Sequence, residues 1–566
     1  EAILAAMRAA LALSDGDTAA QLLQRLENFG EANLSPAIGY QMHYLAAKIA
    51  GGTGAVEAMT ARLEQAIAAL ERLRGNMMVE HRISFQENKQ ILYEEMVDLC
   101  LRRNLPDKGL EYAERAKSRA LLELLDHRLD ISLEAAADED RPLVAELTTL
   151  RAQREQLFQR HNADSDVRER AWMAPAADQE YRGQVEEVET RIRQLWHTLL
   201  VRRAEAYTQD ADLWQVRTEP IQPYLDGETL LLEYFVVHDR LVLFCATDTT
   251  VTARRLPVTM AQVAQFHSRL RRNLRLAPRS SVAQLPDLTV RANQILAQLY
   301  DNLLAPVAEM LARFPKLIIV PHGHLHYVPF HALHTGERYL IESHTLQYLP
   351  SASMLRHCTD VSRRGQGLAV FGHTQGGTLP FAAHEAQTIA RLFQGRLYLE
   401  EEVTRGQIQA AGRECGLLHV ATHAAFNNDE PLFAGIALDD GWLTTLDIFG
   451  LKLDADLVTL SACQTGRSVL GGGDELLGLM RAFLYAGAAS LLLSLWPVED
   501  RSTALLMEAV YRSLADGASK VDALRAAQRQ FIHSAQFDDP AQAARFAHPY
   551  FWAPFYLVGH GGALQG

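Results

Sequence analysis

The sequence predicts a helical N-terminal region followed by an α/β region. Residues 1 to about 205 are rich in Ala, Leu, Glu, Gln and Arg, contain little Gly or Pro, and repeat apolar residues at helical spacing. From about residue 316, short apolar runs alternate with amphipathic segments, which is typical of a parallel or mixed sheet covered by helices on both faces. A chain of 566 residues also exceeds what one hydrophobic core usually serves, so several domains are expected.

Composition excludes several classes of protein. With 48% hydrophobic and 22% charged residues the chain is neither disordered nor fibrous, and a net charge of −14 makes direct nucleic-acid binding unexpected. No apolar run is long enough to span a membrane, so no membrane partner is expected. Five scattered cysteines without a CxxC pair predict a reduced, cytoplasmic protein with neither a disulfide framework nor a zinc ribbon. Because the first residue is Glu1 rather than Met, we expect a fragment.

The helical region carries one clear repeat unit, over residues 91–125. One predicted helix places Leu92, Met96 and Leu99 on one face, and residues 104–108 are predicted to form a Pro-containing turn. The next helix is predicted to begin with Leu110, Ala113 and Ala116. Two antiparallel helices over about 34 residues are typical of a TPR-like repeat. We therefore predict TPR-like repeats over residues 1–130, which would offer a concave surface to a partner, and a helical hairpin or spacer over 131–215. An ordinary helical bundle is the alternative.

The α/β region is expected to begin between residues 205 and 222. Residues 230–237 and 240–246 have the pattern of a β-hairpin that turns at His238–Asp239. Five further apolar runs predict strands, and amphipathic segments between them predict helices. The strands are at 317–320, 368–371, 417–421, 457–461 and 490–495, and the helices are at 260–275, 287–312, 384–393, 474–485, 501–513 and 520–532.

Two of the predicted strands lead directly into a reactive side chain. His423 follows the strand at 417–421, and Cys463 follows the strand at 457–461. If the strands are parallel neighbours, both groups emerge at the carboxyl edge of the sheet, where α/β proteins place their ligands. A histidine beside a thiol favours the thiolate, the nucleophile that attacks a carbonyl group. The alternative is a small buried cysteine and a histidine bonded to a backbone carbonyl.

Six sequence motifs occur in the α/β region. They are Leu-His-Val-Ala-Thr-His at 418–423, Leu-Ser-Ala-Cys-Gln-Thr-Gly at 460–466, Gly-Gly-Gly-Asp-Glu-Leu at 471–476, Leu-Trp-Pro-Val at 495–498, Pro-His-Gly-His-Leu-His-Tyr-Val-Pro-Phe at 321–330 and His-Pro-Tyr-Phe-Trp-Ala-Pro-Phe at 548–555. Together they resemble the CHAT domain, a family of caspase-like cysteine peptidases often fused to TPR repeats and sharing a clan with caspases and separase. Ala462-Cys463-Gln464 also fits the caspase nucleophile signature.

The resemblance implies a fold and a set of residue roles. Residues 216–364 would form a pseudo-protease half and residues 365–566 the active half of a caspase-like α/β sandwich. His423 would be the base and Cys463 the nucleophile, and the backbone N–H groups of Ala424 and Cys463 would stabilise the oxyanion. Ala424 stands where many relatives carry glycine, which restricts how the chain can turn there.

The resemblance to separase also suggests a substrate pocket. Asp500 follows Leu-Trp-Pro-Val-Glu much as an aspartate follows the corresponding strand end of separase, which cleaves after arginine. Asp500, with Asp474 as a second candidate, would then pair with a basic substrate residue. The alternative for both is an acidic residue that favours the start of its own helix.

The function that the resemblance implies is a cysteine endopeptidase that cleaves a protein substrate, with no metal and no cofactor. A regulatory protein or complex bound by the TPR-like half would control it, in bacterial defence or signalling. One alternative is a catalytically silent TPR/CHAT interaction scaffold. Another is a metal-dependent hydrolase that uses the cluster of His322, His324, His326 and His331, although no acidic residue or cysteine joins that cluster at ligand spacing.

Overall fold

The structure is a computed structural model of the whole chain. It describes residues 2–30, 36–75, 90–127, 140–150, 220–356, 365–425, 435–464, 474–533 and 539–564, with scattered positions between 153 and 198. Two compact units are formed, one by Glu1–Asp126 with Val216–Asp360 and the other by His127–Gln215 with Val361–Gly566. The predicted spacer at 131–215 lies mostly outside the described residues.

The first unit begins with antiparallel helices. In the pair predicted as a repeat, Leu92, Met96 and Leu99 are buried on one helix and Leu110 and Ala113 on the next. The turn between them is tighter than expected, because the second helix already starts at Pro106, a residue suited to the first helical position. The six helices are α1 (Ala2–Ala12), α2 (Gly16–Glu27), α3 (Pro36–Gly52), α4 (Val56–Gly75), α5 (Gln90–Arg102) and α6 (Pro106–His127).

The predicted hairpin is present in the first unit. Its two strands pair antiparallel from Leu231↔Ala246 to Val237↔Arg240. His238 and Asp239 both have positive φ, of 50° and 65°, which is the backbone of a two-residue type I′ turn. The strands of this unit are β1 (Thr229–Val237), β2 (Arg240–Ala246), β3 (Val251–Thr259), β4 (Lys316–Val320) and β5 (Thr345–Tyr348).

These strands join in the order β5-β4-β1-β2-β3, with β1, β4 and β5 parallel and β2 and β3 antiparallel to their neighbours. The central strand β1 is buried along almost its whole length, as expected for a strand covered on both faces. Helices connect β3 to β4 and β4 to β5. They are α7 (Met260–Leu276), α8 (Leu285–Leu303), α9 (Ala308–Leu311) and α10 (Leu340–Ser343).

Within this unit, helix α6 forms buried polar contacts with the α/β part. The ammonium of Lys117 lies 3.1 Å from Oε1 of Glu233 on β1, and both side chains are buried. Burial, followed by the nearby charge of Glu114, raises the pKa of Glu233. The carboxylate of Glu114 accepts hydrogen bonds from the backbone N–H groups of Ala352 (2.9 Å) and Ser353 (2.6 Å). The last of the six N-terminal helices therefore packs into the α/β part of its own unit.

The second unit contains a larger sheet, in the order β10-β9-β8-β11-β12-β13. Strand β6 pairs with β8 in parallel, and β7 pairs with β6. The strands are β6 (Leu368–Gly372), β7 (Arg396–Leu399), β8 (Leu417–Ala425), β9 (Gly435–Leu438), β10 (Gly441–Thr444), β11 (Leu457–Gln464), β12 (Ser490–Ser494) and β13 (Phe555–Gly559).

Amphipathic helices connect these strands, four of them close to their predicted positions. The core they help to form includes the fully buried Trp552 and Tyr511. The helices are α11 (Ala382–Phe393), α12 (Arg405–Gly412), α13 (Thr445–Phe449), α14 (Asp474–Ala486), α15 (Asp500–Ala515), α16 (Lys520–Ile532), α17 (Pro540–Phe546) and α18 (Pro549–Trp552).

The predicted fold class, a helical region followed by α/β architecture, is confirmed. In the described part of the chain no helix combines the length and the apolar character that crossing a membrane requires.

We expect the protein to lose stability in mild acid, because His548 is buried. Its side chain is fully buried, and burial lowers its pKa to about 4. The unfolded chain, with a histidine pKa near 6.5, binds more protons at pH 5, so the free energy of unfolding should fall between pH 7 and pH 5 by about 2 kcal/mol from this residue. Urea unfolding at both pH values measures this loss.

The control is His548→Asn, because Nδ1 of His548 accepts the N–H of Tyr550 at the start of α18 and asparagine can keep this cap. The variant should lose about 2 kcal/mol less than wild type between pH 7 and pH 5. An unchanged pH dependence would show that His548 does not carry the effect.

Candidate active site

The two reactive residues predicted from the sequence lie on neighbouring strands. Strands β8 and β11 are parallel and paired in register from Leu457↔Leu417 to Gln464↔Ala424, and within this ladder Cys463 is the partner of His423. The sheet therefore brings together two residues that are far apart along the chain. The side chain of Cys463 lies outside the described residues.

Both strands are longer than predicted, so His423 and Cys463 lie in the last residues of their strands rather than after them. Strand β8 continues to Ala425 because β9 pairs antiparallel with its end, at Ala424↔Ile436. Ala424, the predicted second oxyanion donor, is consequently paired with β9 on one side and with Gln464 of β11 on the other. Strand β8 therefore continues past the position after His423 at which the sequence predicted a loop.

His423 is half-buried, and its two ring nitrogens have different surroundings. Nε2 lies 2.9 Å from Oγ1 of Thr378. Nδ1 is buried and has no hydrogen-bond partner among the described residues. Burial, together with the nearby His373, lowers the pKa of His423. The ring is thus neutral at neutral pH, the state in which an imidazole can accept a proton.

The loop from β6 to α11 supplies the groups around His423. His373 directly follows β6 and donates its backbone N–H to the carbonyl of Ala421 on β8 over 2.9 Å. Gln375 has a left-handed φ of 50°, and its side-chain amide donates to Oγ1 of Thr422 over 3.1 Å. The hydroxyl of Thr378 donates to the carbonyl of Gln375 over 3.0 Å. The loop is therefore tied to the strand that carries His423.

His373 lies between two carboxylates. Its Nδ1 is 3.5 Å from Glu400, and its Nε2 is 3.6 Å from Asp439. Nδ1 also accepts the backbone N–H of Gln375 over 2.9 Å, which leaves the ring hydrogen on Nε2 when the ring is neutral. His373 therefore shares the carboxyl edge of the sheet with His423, from the neighbouring parallel strand β6.

A buried polar network lies four residues further back along the same two strands. His419 is the register partner of Thr459, four residues before the pair of His423 and Cys463. Nε2 of His419 lies 2.8 Å from Glu385 on α11, and its Nδ1 lies 3.1 Å from the hydroxyl of Tyr511 on α15. That hydroxyl bonds Thr459 over 2.9 Å. The network fixes β8 and β11 against the two helices beneath the site.

The two predicted pocket residues are placed differently. Asp500 is the first residue of α15, and its Oδ2 accepts the backbone N–H of Phe381, at the start of α11, over 2.7 Å. Burial raises the pKa of Asp500. Asp474 begins α14, but its side chain lies outside the described residues, as does the glycine run at 471–473. Asp500 thus accepts a hydrogen bond from the backbone at the start of α11, independently of any contact with a substrate.

The histidines at 322–331 form no metal site, since among the described residues no group of three His, Cys, Asp or Glu side chains could hold an ion. His322 contacts Gln90 through Nε2 at 3.0 Å, and His331 contacts the hydroxyl of Tyr348 through Nδ1 at 3.0 Å. These rings serve packing and hydrogen bonding in the first unit.

Thr378, Gln375 and His373 were not predicted from the sequence. They lie in a loop that carries no recognisable motif. Their position directly after β6 could have indicated a role, because the carboxyl end of β6 lies beside that of β8.

Comparison with known proteins finds similarity over the region that contains this site. Residues 293–560 match the model of the CHAT domain family. Tetratricopeptide repeat protein 28 of Homo sapiens is 26% identical over 330 residues, covering 47% of this chain and 13% of that protein, and its Mus musculus counterpart matches equally well. This chain thus spans a small part of those relatives.

Among solved structures, the Saccharomyces cerevisiae separase–securin complex is similar, with 10% identity, a TM-score of 0.45, and coverage of 99% of this chain and 49% of that one. The Arg-specific cysteine proteinase gingipain R is similar with 11% identity, a TM-score of 0.32, and coverage of 48% and 68%. The match to the CHAT domain family model lies in the α/β part of this chain and includes His423 and Cys463.

Proposed function

We propose that this protein is a cysteine endopeptidase in which Cys463 is the nucleophile and His423 is its base. The observation that carries the proposal is the register of β8 and β11, which makes these two residues direct neighbours at the carboxyl edge of the sheet. The match to the CHAT domain family supports the same chemistry.

The chemistry proceeds in two stages. The thiol of Cys463 gives its proton to His423, and the sulfur attacks the carbonyl carbon of the substrate peptide bond. His423 then gives that proton to the leaving amine, and a thioester remains on Cys463. Water, activated by His423, hydrolyses the thioester and restores the enzyme. The lowered pKa of His423 supports this role, because a neutral ring is available as a base at neutral pH.

The oxyanion requires hydrogen-bond donors near the attacked carbonyl. We assign these to the backbone N–H groups of Cys463 and Ala424, and each such donor typically contributes about 3 kcal/mol of transition-state stabilisation. Because Ala424 is paired with Gln464 of β11 and Ile436 of β9, its N–H can stabilise the oxyanion only if the end of this ladder opens when the substrate binds.

The experiment that tests the function is a screen of fluorogenic peptides that differ only in the residue before the cleaved bond, with 1 mM chelator as a parallel condition. Cleavage by wild type that is insensitive to the chelator supports the proposal. Loss of cleavage with the chelator would favour metal-dependent hydrolysis, and absence of cleavage across the set would favour an interaction scaffold.

For Asp500 we predict a preference for arginine before the cleaved bond that depends on its carboxylate. Asp500→Asn keeps an acceptor for the N–H of Phe381 but removes the charge that would pair with a guanidinium. The ratio of kcat/KM for arginine over norleucine peptides should fall by roughly tenfold to a hundredfold, since a charge-assisted pair contributes about 1.5–3 kcal/mol. An unchanged ratio would show that Asp500 does not bind the substrate and serves only to accept the N–H of Phe381.

The helical half is proposed to bind a regulatory protein or complex. The contacts of Glu114 and Lys117 support this role, because a partner that moves α6 would disturb buried groups in the α/β part of the same unit. A cytoplasmic location is consistent with the free cysteines Cys100, Cys245 and Cys415. A setting in bacterial defence or signalling rests on the family resemblance alone.

A further inference from the structure

One hydroxyl group determines where His423 carries its ring hydrogen. Thr378 Oγ1 donates its single hydrogen to the carbonyl oxygen of Gln375 over 3.0 Å and lies 2.9 Å from Nε2 of His423. A carbonyl oxygen cannot donate, so the hydroxyl can only accept from His423. We infer that Thr378 is a positioning residue that holds His423 as the Nε2–H tautomer and leaves Nδ1 as the basic atom.

The other side of the ring is ready to accept a hydrogen bond. Nδ1 of His423 is buried without a partner among the described residues, and leaving a buried acceptor unpaired is unfavourable. The register partner of His423 is Cys463, whose thiol can donate to Nδ1. The inference rests on the proposed function, because it names Nδ1 as the atom that receives the thiol proton.

The Gln375 carbonyl that accepts from Thr378 belongs to a residue held at several points. The Gln375 backbone N–H donates to Nδ1 of His373 over 2.9 Å, and its side chain donates to Thr422, the residue before His423. Gln375 is fixed to β8, the strand that carries His423. Its carbonyl oxygen therefore stays in one position relative to the His423 ring, and so does the Thr378 hydroxyl that donates to it.

The same hydrogen bond serves both protonation states of His423. When the S–H bond of Cys463 breaks and Nδ1–H forms, the ring becomes an imidazolium that still donates from Nε2 to Thr378. A bond from a charged donor is stronger than one from a neutral donor, so Thr378 favours the cation that develops during attack. The hydrogen on Nδ1 then passes to the leaving amine, while the ring keeps its orientation.

Two variants separate this role from packing. Thr378→Val keeps the shape and removes the hydroxyl, and kcat should fall by roughly 10- to 100-fold with little change in KM, as for other groups that orient a functional histidine. Thr378→Ser restores the hydroxyl and should return kcat to within about threefold of wild type. Thr388→Val, on the helix after the loop, is the matched control and should leave kcat unchanged.

A spectroscopic measurement makes the test independent of activity. In the full chain labelled with ¹⁵N-histidine, with His423→Gln used to assign the signals, His423 of wild type should carry its hydrogen on Nε2, and Thr378→Val should show a mixture of tautomers. A wild-type ring with the hydrogen on Nδ1, or full kcat in Thr378→Val, overturns the inference.

The two proposals can fail separately. If wild type cleaves no peptide while the tautomer shifts in Thr378→Val, the positioning role stands and the peptidase function is wrong. If wild type cleaves and Thr378→Val keeps both its kcat and its Nε2–H tautomer, the function stands and the inference is wrong.

Discussion

Cys463→Ala is expected to reduce peptide cleavage by roughly 10⁴-fold or more, because no other group can form the thioester once the thiol is removed. His423→Ala should cost a similar factor, and the double variant should lose little more than either single variant, since the two residues act as one unit. The measurement is kcat/KM on the best peptide of the screen.

The matched control is Cys415→Ala, which removes a buried thiol from the same unit and should leave kcat/KM within about twofold of wild type. If the fold-losses of kcat/KM in His423→Ala and Cys463→Ala multiply in the double variant, the two residues act independently, which would contradict a shared proton transfer.

Glu114→Ala is expected to lower the free energy of unfolding by about 3 kcal/mol. The carboxylate of Glu114 accepts the N–H groups of Ala352 and Ser353 in a buried environment, so its removal leaves two backbone donors without a partner. Urea unfolding measures the free energy, and hydrogen exchange of the segment 352–354 shows whether the loss is local.

Glu111→Ala is the control, because Glu111 lies on the same helix but is exposed, and its replacement should change the free energy of unfolding by no more than about 0.5 kcal/mol. Equal effects of the two substitutions would show that the contribution of Glu114 is helix propensity rather than the buried contact.

Local pattern predicted the long apolar strands but missed β3, β5, β7, β9, β10 and β13. The apolar runs at 417–421 and 457–461 predicted two strands, and the general behaviour of α/β sheets predicted that their carboxyl ends carry the reactive groups. The register of β8 and β11 confirms that these strands are parallel neighbours. The end of β8 could not be predicted from its own sequence, because Ala425 belongs to the strand only through its pairing with Gly435 of β9.

The residues that support His423, such as His419 and Thr378, could not be predicted from the sequence for another reason. His419 lies in an apolar strand, and its contacts with Glu385 and Tyr511 arise only when α11 and α15 pack on the sheet. Thr378 acquires its role through the loop backbone of Gln375 rather than through any sequence motif. Such groups depend on contacts between distant segments, which a periodic pattern does not specify.

The domain boundaries at residues 130, 215 and 364 and the assignment of Asp474 to the pocket remain predictions, because the relevant segments or side chains lie outside the described residues.

The account depends most directly on a reactive thiol at Cys463 that is activated by His423. A peptide carrying a thiol-directed electrophile, incubated with wild type and with His423→Ala at pH 7, should label Cys463 alone, and the rate should fall by roughly 100-fold in the variant. Buried Cys100 and Cys245, whose pKa values burial raises to about 11 and about 12, are internal controls that should stay unlabelled. Equal labelling rates of Cys463 in wild type and His423→Ala would contradict the account.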